Sequence, residues 1–224
     1  MDIFEKHELF EIEVLEKLKN SKLLEPLVFG GGTMLRLCYE LNRYSVDLDF
    51  WLTKKIPLTP YFNKFSKTLE REYEVTDAQL KYYTLLFEIR SADYPKRLKI
   101  EIRKEMKDCD FQERIAYSKF SNKQVILKTH TLEQTMKNKI NALLDRNEIR
   151  DGFDIEFLLR KGISLPELKK EQLARLKERV NGFKGRDFKV KLGSILESDV
   201  RKYYIENRFI YLREKIILKS AKEP

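Results

Sequence analysis

The hydrophobic pattern of the chain switches several times between helical and strand periods, and the switch points mark its elements. Residues 2–20 place Ile3, Phe4, Leu9, Phe10, Ile12, Val14, Leu15 and Leu18 at mixed three- and four-residue spacing, which predicts an amphipathic helix. The apolar run Leu27-Val28-Phe29 predicts a strand. Gly30-Gly31-Gly32-Thr33 ends it, and Met34, Leu35, Leu37 and Leu41 predict a short helix beyond. From Val46 to Leu52 the period becomes two, so Val46, Leu48 and Phe50 share one face and Asp47 and Asp49 the other. Pro57 and Pro60 turn the chain into a helix near 60–71. Leu80 to Arg90 is rich in β-formers and predicts one long strand, followed by a clean alternation over 97–103 that separates Leu98, Ile100 and Ile102 from Lys99, Glu101 and Arg103. These two form a hairpin beside the Asp47 strand, with shorter β pieces near 114–117 and 124–127.

From Thr131 onward the pattern is helical. Met136, Ile140, Leu143 and Leu144 make the buried stripe of a helix over 132–144 that leaves Lys139 on a flank, and a second helix starts at Arg150. Ser164-Leu165-Pro166-Glu167 carries a helix-start pattern. Further helices are expected near 165–180, 187–197 and 198–217. The reading divides the chain into an α/β domain, 1–128, and a helical domain, 129–224, with the site shared between them.

Composition narrows the class. The 224 residues are 42% hydrophobic and 36% charged, as expected of a soluble chain with a real core. No apolar run approaches a membrane span, and the charged start shows no signal-peptide pattern, so a cytoplasmic location is expected and no membrane partner. Cys38 and Cys109 make no disulfide or metal framework, and His7 and His130 lack ligand spacing. The net charge is +9, and 16 Lys and Arg against nine Asp and Glu between 162 and 224 account for +7 of it. Such an excess suits RNA or an acidic protein partner, and equally a solvated helical surface.

The chemistry concentrates in residues 29–52. Asp47 and Asp49 stand about 6.5–7 Å apart on one side of an apolar strand, where like charges repel unless a cation neutralises them. A divalent metal answers that need. The glycines let the backbone turn sharply and approach a ligand, and the helix after them points unpaired N–H groups, with Thr33 as cap, at whatever sits there. Phosphate beside paired carboxylates points to a metal-bound nucleotide. A two-metal site commonly uses a third carboxylate, for which Glu101 is the candidate. Its other reading is a surface glutamate paired with Lys99 or Arg103.

Gly31-Gly32-Thr33, a thirteen-residue gap and Asp47-Leu48-Asp49 resemble the signature of the polymerase-β-type nucleotidyltransferase superfamily. The fuller run, with Met34-Leu35-Arg36-Leu37 and Arg43-Tyr44-Ser45-Val46 before the aspartates, is similar to the AbiEii/AbiGii-type toxins of toxin–antitoxin (abortive infection) systems. Lys139-Ile140-Asn141-Ala142-Leu143-Leu144 with Arg150-Asp151-x-x-Asp154 resembles a second block of that family.

The resemblance implies an α/β (α+β) fold: a polymerase-β-like sheet with flanking helices, then a C-terminal helical domain. It implies transfer of a nucleoside monophosphate from an NTP to an RNA, a tRNA 3′ end in particular, with pyrophosphate released and an antitoxin as protein partner. Asp47, Asp49 and Glu101 would hold two Mg²⁺ (or Mn²⁺), and Gly31, Gly32, Thr33 and Arg36 would bind the nucleotide. Lys139 would contact the triphosphate, and Asp151 would orient it or activate the attacking hydroxyl. Read without the family, Lys139 and Asp151 are a helix-surface lysine and a helix N-terminal aspartate. Two other functions compete: nucleotidyl transfer to a small molecule or protein, and a non-catalytic binder of nucleotide or RNA that keeps the fold.

Overall fold

A computed structural model of the chain describes residues 2–106 and 108–222. They form two compact units, one of residues up to Glu40 with Tyr44–His130, the other of Leu41–Arg43 with the chain from Thr131 onward.

The first unit opens with α1 (Ile3–Asn20), whose N-cap Asp2 accepts hydrogen bonds from the Phe4 and Glu5 amides while Glu5 reaches back to the Asp2 amide. Then come β1 (Leu27–Gly30), α2 (Gly31–Tyr39), β2 (Asp47–Leu52), α3 (Leu58–Glu70), β3 (Glu74–Leu80), β4 (Thr84–Arg90), β5 (Leu98–Arg103), β6 (Phe111–Tyr117) and β7 (Gln124–His130). The seven strands form one sheet in the order β3-β4-β5-β2-β1-β7-β6. β1 pairs antiparallel with β2 and parallel with β7, while β2 pairs parallel with β5.

Period two sorts the strands between faces. Leu48, Phe50 and Leu52 of β2, Leu85, Phe87 and Ile89 of β4 and Leu98, Ile100 and Ile102 of β5 are buried. Phe62 and Phe65 of α3 stack on Phe87, and Phe10 of α1 packs on Tyr73 and Tyr94. The opposite face of β2 and β5 keeps its polar side chains partly exposed.

One strand expectation needs correcting. Leu80–Arg90 is two strands, because the Lys81 amide donates to the Thr84 carbonyl (2.9 Å) and the chain reverses at Tyr82-Tyr83. The β-propensity of the two tyrosines hid the turn. β3 went unread because Glu74, Thr76, Asp77 and Gln79 make it polar, which an edge strand with one ladder partner tolerates.

The second unit contains α4 (Leu132–Arg146), α5 (Ile149–Arg160), α6 (Lys170–Gly182), a π-helical turn over Asp187–Leu192 passing into a 3₁₀ turn at Gly193–Ile195, α7 (Ser198–Asn207) and α8 (Ile210–Lys222). The Thr131 hydroxyl caps α4 by accepting from the Gln134 amide at 3.1 Å. Ser164-Leu165-Pro166-Glu167 does not start a helix. Leu165 is buried and precedes a proline that keeps it out of the helical region, so α6 waits until Lys170. Nor is 198–217 continuous. Arg208 adopts φ 52°, and this reversal sends Phe209 into a buried cluster with Phe183, Phe188 and Tyr204. Gly152 leaves room for it, since a Cβ there would come within 3.0 Å of the Phe209 ring.

Candidate active site

β2 and β5 run side by side in parallel with Asp47 opposite Lys99, Asp49 opposite Glu101 and Trp51 opposite Arg103. Strand pleating puts these six residues on one face, with about 4.8 Å between strands. Asp47 and Glu101 keep 35% and 27% of their side chains exposed. Lys99 stands among the carboxylates, its Nζ 3.2 Å from Glu101 Oε2 and 3.9 Å from Asp47 Oδ2. Burial pulls its pKa down, but Asp47, Glu101 and Asp49 outweigh burial and the ammonium is held more firmly than usual. The pairing of Glu101 with Lys99 is therefore formed, and Asp47 shares it. Lys99 is the residue sequence reasoning undervalued, although it lies on the same alternation as Glu101.

The glycine turn meets this strand directly. Gly31 has φ +77°, and a Cβ on it would fall 2.4 Å from Asp49 Oδ2, so backbone conformation and space both require glycine. Gly30 is the N-cap residue of α2, with no side-chain cap. Thr33 is not the cap. It is fully buried, and its hydroxyl donates to the Asp47 carbonyl at 2.6 Å. His7 Nε2 lies 3.1 Å from the preceding carbonyl, that of Val46, and burial holds this ring's pKa down despite that contact. Two successive carbonyls leading into β2 are thus tied to α1 and α2. Gly32 is buried in the first turn of α2.

Arg36 turns toward α1. Its Nε donates to Glu8 Oε2 at 2.8 Å, its guanidinium lies 4.7 Å from the Tyr44 ring centroid, and Glu8 also accepts from Ser118 Oγ at 2.6 Å. Glu11, one turn along α1, is buried; burial and then Glu8 and Asp47 push its pKa well up.

In the second unit Lys139, Asp151 and Asp154 are buried together. Lys139 Nζ is 2.6 Å from Asp154 Oδ2 and 3.4 Å from Asp151 Oδ1. Arg43 grips Asp154 through Nε and Nη2 at 2.6 and 2.7 Å, and Arg146 grips Asp151 through the same two nitrogens at 2.8 and 2.7 Å. Burial raises the pKa of Asp154, but Arg43 and Lys139 overcome it and keep the carboxylate ionised. Asp154 therefore pairs with Arg43 and Lys139. The expectation of Lys139 on a helix flank is corrected to a buried position. Arg43 and Arg146 were missed as partners; the second lies one heptad beyond Lys139 on α4.

Asp47, Asp49 and Glu101 offer hard carboxylate oxygens on a face whose cations are Lys99 and Arg103, and such a donor set suits a divalent cation. Among the described residues no three such groups stand close enough to enclose a metal ion as they are. None of the helices among the described residues is long and apolar enough to cross a membrane.

The architecture matches solved structures. A crystal structure titled as a putative nucleotidyltransferase from H. pylori aligns over 93% of this chain and 97% of its own, at 21% identity and a TM-score of 0.55. That of JHP933 from Helicobacter pylori aligns over 94% and 95%, at 22% identity and a TM-score of 0.52. No curated protein sequence matches the chain significantly. The family model described as "Nucleotidyl transferase AbiEii toxin, Type IV TA system" matches residues 13–208, both halves of the motif pattern included. The chain thus belongs to the AbiEii family of nucleotidyltransferase toxins.

Proposed function

We propose that this toxin transfers a nucleoside monophosphate from an NTP to RNA, at a tRNA 3′ end, in a Mg²⁺-dependent reaction that releases pyrophosphate. The observation that supports this most is the register that sets Asp49 beside Glu101 and against Gly31, with Asp47 two residues away on the same face. Asp47, Asp49 and Glu101 hold the cation, with Mn²⁺ an acceptable substitute; when bound it neutralises phosphate charge and lowers the pKa of the attacking hydroxyl. The first amides of α2, at Gly31, Gly32 and Thr33, receive phosphate oxygens. Arg36 supports this turn from behind through Glu8. Lys99, beside Asp47 and Glu101, would be available to the substrate phosphates were a dication to balance those carboxylates. Lys139 and Asp151 carry the triphosphate-contacting and orienting roles that the family resemblance implies. Three cations against two carboxylates in their cluster, with Arg146 at its half-exposed edge, favour an anionic ligand. An antitoxin protein is the regulatory partner.

The test is incubation with each α-labelled NTP and total RNA, in parallel with Mn²⁺ binding followed by electron paramagnetic resonance. Asp47→Asn and Asp49→Asn are expected to cut label transfer at least about a hundredfold, the scale of losing a main electrostatic contributor. They should also weaken Mn²⁺ binding while leaving the fold intact. Transfer at the wild-type rate in either variant, or in excess EDTA, would refute the mechanism. Label appearing on a protein or small molecule instead of RNA would move the acceptor and keep the chemistry.

A further inference from the structure

Tyr82 and Tyr83, at the turn between β3 and β4, are 84% and 74% exposed, more than any other large hydrophobic side chain among the described residues. Burying a tyrosine ring is normally favourable, so two adjacent ones left in water call for a partner. Their rings meet edge to face at 4.6 Å, which presents two differently oriented aromatic surfaces at one tip.

The tip is ordered by its neighbours. The Lys104 amide donates to the Tyr83 carbonyl at 2.9 Å, and Lys104 Nζ reaches the Lys81 carbonyl. Next to it, Thr84 pairs with Arg103, and Arg103 with Trp51. The Arg103 guanidinium lies 5.2 Å from the Trp51 ring centroid, and both residues are on the face that carries Asp49 and Glu101. Strand geometry puts Thr84 about 12 Å from Asp49, a span of roughly three to four stacked nucleotides. Lys81, Arg103 and Lys104 outnumber Glu105 at this edge, and Lys54 and Lys55 follow where β2 ends.

We propose that the Tyr82–Tyr83 tip and the Trp51–Arg103 pair form a stacking surface for single-stranded RNA leading to the carboxylate face. Aromatic rings offer a π-face to any base, a guanidinium can lie over a base as Arg103 lies over Trp51, and the lysines meet the backbone phosphates. This combination favours unpaired nucleic acid over an apolar protein partner, which would not call for a cationic rim. The proposal rests on the RNA-acceptor reading above and adds where the strand lies.

The test uses full-length protein and a fluorescein-labelled 12-nucleotide single-stranded RNA, with binding read by anisotropy. The double variant Tyr82→Ala/Tyr83→Ala is expected to lose tenfold or more in affinity, and Tyr82→Phe/Tyr83→Phe to bind as wild type, because stacking needs the ring and not the hydroxyl. NTP binding should be unchanged in both, and a duplex of the same sequence should compete poorly. Unchanged RNA affinity in the alanine variant overturns the surface while leaving nucleotidyl transfer standing. So does a loss confined to antitoxin binding or self-association. Wild-type protein that fails to bind the oligonucleotide overturns both the surface and the RNA acceptor, while NTP-dependent labelling of another acceptor would preserve the reaction.

Discussion

Glu11 shows what burial does to a carboxyl in the first unit. The residue is 1% exposed, 3.6 Å from His7 Nε2, and its Oε1 has no hydrogen-bond partner. Burial, reinforced by Glu8 and Asp47 and opposed by Arg36, keeps the carboxyl protonated in the folded chain at pH values where the unfolded chain has released its proton. Below about pH 4.5 both states are neutral and nothing is lost. Above that value stability falls with rising pH until the folded-state pKa is passed, at up to about 1.4 kcal/mol per pH unit. Glu11→Gln removes the titration, so its melting temperature should gain on wild type between pH 5 and pH 8. A gap that narrows with rising pH would contradict this. The outward direction of Asp47 and Asp49 was legible in the sequence, because period two fixes a face once one side is apolar. The place of Lys99 between Asp47 and Glu101 was not, since it depends on which strand lies beside β2 and in what register.

At the level of elements, legibility followed the clarity of each element's period. β1, the glycine turn, α2 and β2 could be read because apolar runs and glycines punctuate them. The polar edge strand β3 and the break at Arg208 could not, one having a single ladder to satisfy and the other being set by where Phe209 packs. The α4–α5 pair depends on a contact equally hidden from local sequence: Arg43 and Asp154 are separated by 111 residues. Removing one member of such a buried network strands its partners' charge, which typically costs 3–5 kcal/mol. Asp154→Asn is therefore expected to lower unfolding free energy by about that amount in chemical denaturation. A loss under about 1 kcal/mol would mean that Arg43 and Lys139 find other partners.

Across the whole molecule the positive excess lies in the last third of the chain, where not every cation is equally available to a partner. Arg175 and Arg179 donate to the Leu144 carbonyl near the end of α4, at 3.3 and 3.5 Å, so part of their work is structural. Lys169, Lys170 and Lys177 are the cleaner probes, all three exposed. If they meet phosphates, changing all three to Glu should flatten the log–log salt dependence of RNA binding by about 0.7 per contact on a single strand, with NTP binding unaffected. An unaltered slope with weakened antitoxin binding would assign these lysines to the protein partner.

The pairing of β1 with β7 joins Phe29 to Thr129, a hundred residues later, whereas β1 and β2 are joined through a short helix. During synthesis at about 5–20 residues per second, roughly 5–20 s separate the emergence of those two strands from the ribosome. For that interval the strand that ends in the glycine turn has an unpaired flank. A newly made toxin therefore reaches its full seven-stranded sheet only after more than half of the chain has been translated.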